Sequence, residues 1–206
     1  MNKEINNFDI IREMLTFPDE DSYYFVQILR RKKDPGNSKY KKDSNIKSYY
    51  INSLEYFDRK KEEIINLCNF FNARATIRLN RRSYKKTAKE INVEVAKLLK
   101  DDSFKSVLKV AESVSGYTIG ENVDKKWLID IDVPYDKEYV NELSIKLNDI
   151  QPIGEKIKDI IPSVNGYHLV VIPFNKQVIN KMDLGFVEKD IKKDSYTNLF
   201  IPSFKE

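Results

Sequence analysis

The hydrophobic and polar positions of this chain change period several times, and each change marks an element. Tyr23 to Arg31 and Ile46 to Asn52 are dense in aromatic and β-branched residues and read as two strands. The basic turn region at Asp34-Pro-Gly-Asn37 joins them as a long hairpin. Asp58 to Phe71 switches to a helical period, with Ile64, Ile65, Leu67, Cys68 and Phe71 on its apolar side. Ala75 to Asn80 alternates like a strand. Ser83 then caps a helix running to Leu99, whose inner face is Ala88, Ile91, Val95 and Leu98. Phe104 to Val114 reads as one more helix, and Gly116 to Lys126 as a loop.

Beyond that loop, Trp127 to Asp132 is an apolar run carrying two aspartates one residue apart. Asp136 to Ile150 and Ile153 to Ile161 are expected as helices. Asn165-Gly166 turns the chain into a strand from Tyr167 to Phe174, and the last strand is Thr197 to Ile201. Met1 to Thr16 is a weak helix or an arm ended by Phe17-Pro-Asp. Strands and helices do not alternate with the period of a doubly wound parallel sheet, so the expected class is α+β, with a mixed or antiparallel sheet and packed helices. A single domain over 1–206 is expected. Residues 1–20 are expected as an N-terminal arm or helix, 23–114 as an α/β part with the basic hairpin, and 115–206 as the part bearing the acidic and histidine motifs.

Composition narrows the function classes. No window approaches the ~18 apolar residues of a membrane span, and the first residues lack the apolar stretch of a signal peptide. The one cysteine, Cys68, falls on the apolar side of a helix; it makes no intrachain disulfide and no cysteine zinc site, and a reducing, cytoplasmic compartment is expected. The net charge of +4 is unevenly spread. Arg30 to Lys47 holds eight Lys or Arg against Asp34 and Asp43, and a second cluster runs from Arg78, Arg81 and Arg82 to Lys89. Such clusters neutralise a polyanion's phosphates, and the interleaved Tyr40, Tyr49, Tyr50 and Tyr84 supply rings that stack on bases.

The chemistry concentrates in the second half. On a strand, Asp130 and Asp132 share one face, and two carboxylates there repel each other unless a cation lies between them. Oxygen-only ligands of this kind suit Mg²⁺ or Mn²⁺ and the displacement of phosphate esters. His168, the only histidine, sits on a strand that could pair beside the aspartate strand, where it would hold a phosphate or move a proton. Asp190 is a candidate third carboxylate, with Asp183, Glu188 and Asp194 competing by spacing.

The order Leu128-Ile-Asp130-Ile-Asp132, Gly166-Tyr-His168 and a later Asp190 resembles the three motifs of the archaeo-eukaryotic primase (primase-polymerase) superfamily, in particular its small stand-alone phage members. Phe71 to Ser83 and Asp190 to Pro202 are similar to segments of that group, so the resemblance spans roughly residues 25–202. It implies a catalytic core of two α/β layers around an RRM-like sheet. It implies further that Asp130, Asp132 and Asp190 ligate two Mg²⁺ or Mn²⁺ ions and that His168 contacts the nucleotide phosphates. Arg78, Arg81 and Arg82 fit nucleotide or template binding by their charge. The partners implied are single-stranded DNA and nucleoside triphosphates, in (phage) DNA replication. The chain has no zinc motif and no Walker A sequence, so a helicase would have to act in trans. Two other readings share these residues: a metal-dependent nuclease or phosphoesterase, with water as nucleophile, and a nucleic-acid-binding module without catalysis.

Overall fold

The structure is a computed structural model that describes residues 3–121, 123–182 and 184–204. Its first half runs β1 (Ile5–Asn6), α1 (Phe8–Met14), β2 (Ser22–Arg30), β3 (Ser44–Ile51), α2 (Leu54–Phe71), β4 (Arg74–Arg78) and β5 (Arg82–Ser83). A helical stretch follows: α3 (Tyr84–Lys100), α4 (Phe104–Val107) and α5 (Val110–Ser115). The second half runs β6 (Trp127–Ile131), α6 (Lys137–Asn148), β7 (Ile157–Pro162), β8 (Tyr167–Val171), β9 (Ile191–Lys192) and β10 (Tyr196–Ile201). Two 3-10 turns, Lys176–Lys181 and Glu188–Asp190, lie between β8 and β9. The class is α+β, and every pairing in both sheets is antiparallel. Among the described residues no helix is long and apolar enough to cross a membrane.

The larger sheet has the order β1-β10-β4-β2-β3, with β5 paired to β2; the smaller has the order β7-β8-β6-β9. β10 therefore leaves the second half of the chain and inserts between two strands of the first. Alternation on the central strands sends Tyr24, Val26 and Ile28 of β2 and Ala75 and Ile77 of β4 into one core, under Phe57, Ile64 and Cys68 of α2. Burial raises the Cys68 thiol to about 12, which keeps it protonated and unreactive. A second core joins Ile129, Ile131, Leu169 and Val171 of the smaller sheet to Val140, Leu143 and Leu147 of α6. Leu128 and Val170 point the other way and join the first core, so the smaller sheet is apolar on both faces at that end.

Three expectations need correction. The segment expected as a helix over Ile153 to Ile161 is the strand β7 from Ile157: Pro152 and Gly154, whose φ is +127°, stop helix formation. Phe104 to Val114 is broken into two short helices near Leu108 and Lys109. The inner face of α3 is only half-buried; Ala88 is exposed and Thr87 is the helix's one buried residue. Ser83 does cap that helix, accepting from Lys86 N–H, and Asp136 caps α6 in the same way through Glu138 and Tyr139 N–H.

Candidate functional site

The site grows from the pairing of β6 with β8. Their register sets Leu128 against Val170 and Asp130 against His168. Opposite residues of an antiparallel pair share a face, so this face passes from apolar contacts in the first core to a carboxylate and an imidazole at its open end. Asp132 lies one residue past the strand and is exposed, as is Asp130. The register of β9 carries Asp190 to the same place. Leu128 pairs with Lys192 and Ile129 with Ile191, so the next position opposite Asp130 is Asp190.

Gly166 explains why a glycine precedes the histidine. A Cβ there would stand 2.0 Å from the Ile131 carbonyl oxygen and 2.7 Å from that of Val133. The turn between β7 and β8 thus rests directly on the backbone that carries Asp132, and only a residue without a side chain allows that approach. Ser163 Oγ accepts from Gly166 N–H at 3.2 Å and closes the turn.

His168 stands between two partners. Its Nε2 lies 3.4 Å from Asp130 Oδ1, and its Nδ1 lies 2.8 Å from the Thr197 hydroxyl on β10. The contact with His168 holds the Asp130 carboxyl below the usual carboxylate range, against a smaller opposing effect of desolvation. Thr-His-Asp invites comparison with a nucleophile triad, but the burial runs the wrong way. The Thr197 residue is 1% exposed, whereas the Asp130 side chain is 46% exposed. The group facing solvent is the carboxylate, so the hydroxyl is no nucleophile here.

Asp130 and Asp132 form a ridge shared by two depressions. One is a cleft of about 830 Å³ between the sheets, lined by His168, by Arg31, Lys33 and Arg74 with the acids Asp34 and Asp43, and by the polar Gln27, Thr76 and Asn198 of the larger sheet. The other, about 680 Å³, is lined by Asp130, Asp132, Asp136 and Asp190 with Tyr139 and Phe186, and among the described residues no basic side chain lines it. Its far wall is the loop at Gly185, where φ is +73° and the Tyr139 hydroxyl donates to the Leu184 carbonyl at 2.6 Å. A Cβ on Gly185 would fall 2.5 Å from that hydroxyl oxygen.

The acidic rivals separate clearly. Asp194 accepts from Arg82 Nη2 at 2.9 Å, and from Asn80 and Arg78 at 3.2 and 3.3 Å; it is a structural anchor. Glu188 pairs with Lys176 at 2.7 Å. Asp183 lies outside the described residues. Of the three that are described, only Asp190 lines a depression with Asp130 and Asp132, although its Oδ2 already accepts from Val187 N–H at 2.9 Å.

The arginine expectations meet a different outcome. Arg82 is fully buried, so its assignment to a nucleotide is corrected: its guanidinium belongs to Asp194 and to the Gly116 carbonyl at 3.1 Å. Arg78 donates to the Asp194 backbone at 2.6 Å and lies 3.9 Å from the Tyr196 ring centre. Arg81 donates to Thr16 Oγ1. None of the three lines the larger cleft; the arginines that do are Arg31 and Arg74. In the hairpin loop, Asp34 is buried against Arg74, and Asp43 accepts from Lys32 N–H at 2.7 Å. Asp34 is thus turned inward, whereas Asp43 is exposed at the cleft and Lys32, Lys33, Lys39, Lys41 and Lys42 stay exposed as well.

Among the described residues, no three His, Cys, Asp or Glu side chains converge as a ready-made metal shell. The donor set fits a hard cation of another kind. Mg²⁺ is usually held by one or two carboxylates and completed by water and substrate phosphates, and Asp130 and Asp132 supply two exposed carboxylates at the edge of the cleft. No family model, no characterised protein and no solved structure matches this chain.

Proposed function

We propose that this protein is a metal-dependent nucleotidyltransferase of primase-polymerase type that works on a single-stranded DNA template. The observation that carries the reading is the ridge itself: Asp130 and Asp132 at the mouth of a cleft whose far wall offers Arg31 and Lys33, with the only histidine paired across the strand from Asp130. The resemblance of the motif order to primase-polymerases, with their RRM-like core, points the same way.

In the reaction, a primer 3′-hydroxyl, or that of a first nucleotide, attacks the α-phosphorus of a nucleoside triphosphate. The new P–O bond forms as the bond to pyrophosphate breaks, and the hydroxyl proton passes to solvent. Asp130 and Asp132 would hold Mg²⁺ or Mn²⁺, with Asp190 completing the set. Ions held there would lower the pKa of the hydroxyl and neutralise charge on the leaving phosphate. His168 Nε2, at the cleft rim, donates to an oxygen of the triphosphate. The exposed lysines of the hairpin loop, with Arg31 and Lys33, draw the template backbone toward the cleft by charge.

The test is incubation with a primed single-stranded template, nucleotides and Mn²⁺, beside an Asp130→Ala/Asp132→Ala control. Extension lost in the control is the expected result. Shortened strands lost in the same control would replace the reading with a nuclease. Template binding that falls steeply with salt, unchanged by the control and without product, would replace it with a binding module.

A further inference from the structure

We propose that Thr197 is a positioning residue for His168: its hydroxyl donates to Nδ1, so the neutral ring carries its proton on Nε2 and presents that N–H to an anionic oxygen. The argument starts from the two neighbours of the ring. Asp130 is an acceptor only, and it faces Nε2 at 3.4 Å. A bare Nε2 lone pair would meet a carboxylate oxygen across that gap and be repelled. A protonated Nε2 is attracted. In a neutral ring Nδ1 is then an acceptor, and the group beside it must donate.

Thr197 is placed for that task. Its hydroxyl is 2.8 Å from Nδ1 and lies in a buried residue, where a hydroxyl without a partner costs about 1–3 kcal/mol. Neighbouring side chains of β10 alternate, so Tyr196 and Asn198 line the cleft while Thr197 reaches the imidazole from the other face. Valine would fill the same volume in the strand but would offer no hydrogen. Thr197 belongs to the larger sheet and His168 to the smaller, so the bond also fixes the ring relative to the cleft's opposite wall. That the anionic oxygen is a phosphate oxygen rests on the nucleotidyltransferase reading; the ring's proton placement does not.

A single histidine makes the test direct, since protein labelled with ¹⁵N in its imidazole shows one pair of ring nitrogens. With the ring neutral, the wild-type spectrum is expected to show Nε2 as N–H and Nδ1 as a bare nitrogen. Thr197→Val should mix the two tautomers and draw the two shifts together, and Thr197→Ser should restore them. A wild-type ring protonated on Nδ1, or a Thr197→Val spectrum that superimposes on wild type, overturns the proposal. Should Thr197→Val fail to fold by circular dichroism, Thr197→Ala is read by the same criteria. In primer extension, Thr197→Val should raise the nucleotide KM about tenfold with a smaller change in kcat, and Thr197→Ser should recover most of it. Absence of extension by the wild-type protein would remove the nucleotidyltransferase reading while leaving the ring assignment to the spectrum.

Discussion

Asp194 and Asp130 are both aspartates beside a basic side chain, and the chain uses them in opposite ways. Asp194 is drawn inward by Arg82, which has no exposed surface, with Arg78 and Asn80 completing its shell. Asp130 has one basic partner, at 3.4 Å, and nearly half of its side chain faces the cleft. A carboxylate whose lone pairs are filled from within serves the fold. One that is left with open valence toward a cavity is available to a ligand. Burial and the number of inward partners, rather than residue type, divide the two.

The comparison can be broken most directly by exchanging the expected losses. Asp130→Ala combined with Asp132→Ala should cut extension by roughly 10³-fold, a loss of transition-state stabilisation of about 4 kcal/mol, with unfolding free energy moved by less than about 1 kcal/mol. Asp194→Ala should do the reverse. It strands the buried Arg82 charge and should lower the unfolding free energy by about 3–5 kcal/mol in urea titrations. Equal stability losses at the two sites would erase the distinction.

Gly166→Ala should touch both properties, because the new methyl group meets the backbone bearing Asp132. We expect about 1–3 kcal/mol of destabilisation and a fall in extension larger than the loss of folded protein explains. Unchanged activity in a folded Gly166→Ala variant would show that Asp132 does not depend on that close approach.

Glu63 stands between the extremes and gives the smallest effect. Lys47 foremost, then Lys60 and Tyr49, hold its carboxyl down at about 2, below the ordinary 4.5. A folded value below the unfolded one means the contribution is complete above about pH 4.5 and is lost as pH falls toward 2. With a third of the side chain exposed, screening reduces this to about 1 kcal/mol. Glu63→Gln should therefore flatten stability between pH 4.5 and 2 and leave the neutral range nearly parallel to wild type; an unchanged acid limb would refute the ion cluster.

Much of the site's frame was legible in the sequence because alternation is local. Asp130 opposite His168 on paired strands needs only two apolar runs and the turn at Asn165-Gly166. The α+β class and the basic hairpin followed from the same signals. What was illegible is long-range pairing. Arg82 looked like one more cation in a basic run, and its partner Asp194 is 112 residues away. Thr197 gave no sign of reaching the imidazole, because the contact joins different sheets. The segment after Pro152 misled for another reason: Ile157, Ile160 and Ile161 satisfy helical spacing and a half-buried strand alike, and pairing with β8 decides between them.

The insertion of β10 between β1 and β4 also sets an order of assembly. While the chain is being synthesised, β1 to β4 wait with an open slot until residues 196–201 emerge, more than a hundred residues after β4. Thr197 arrives with that strand, so the histidine gains its second partner in the same step that completes the sheet. Pairings of such sequence separation are slow to form. The cleft between the two sheets is therefore completed late in folding, after the pairings of β2 with β3 and β4 are already within reach.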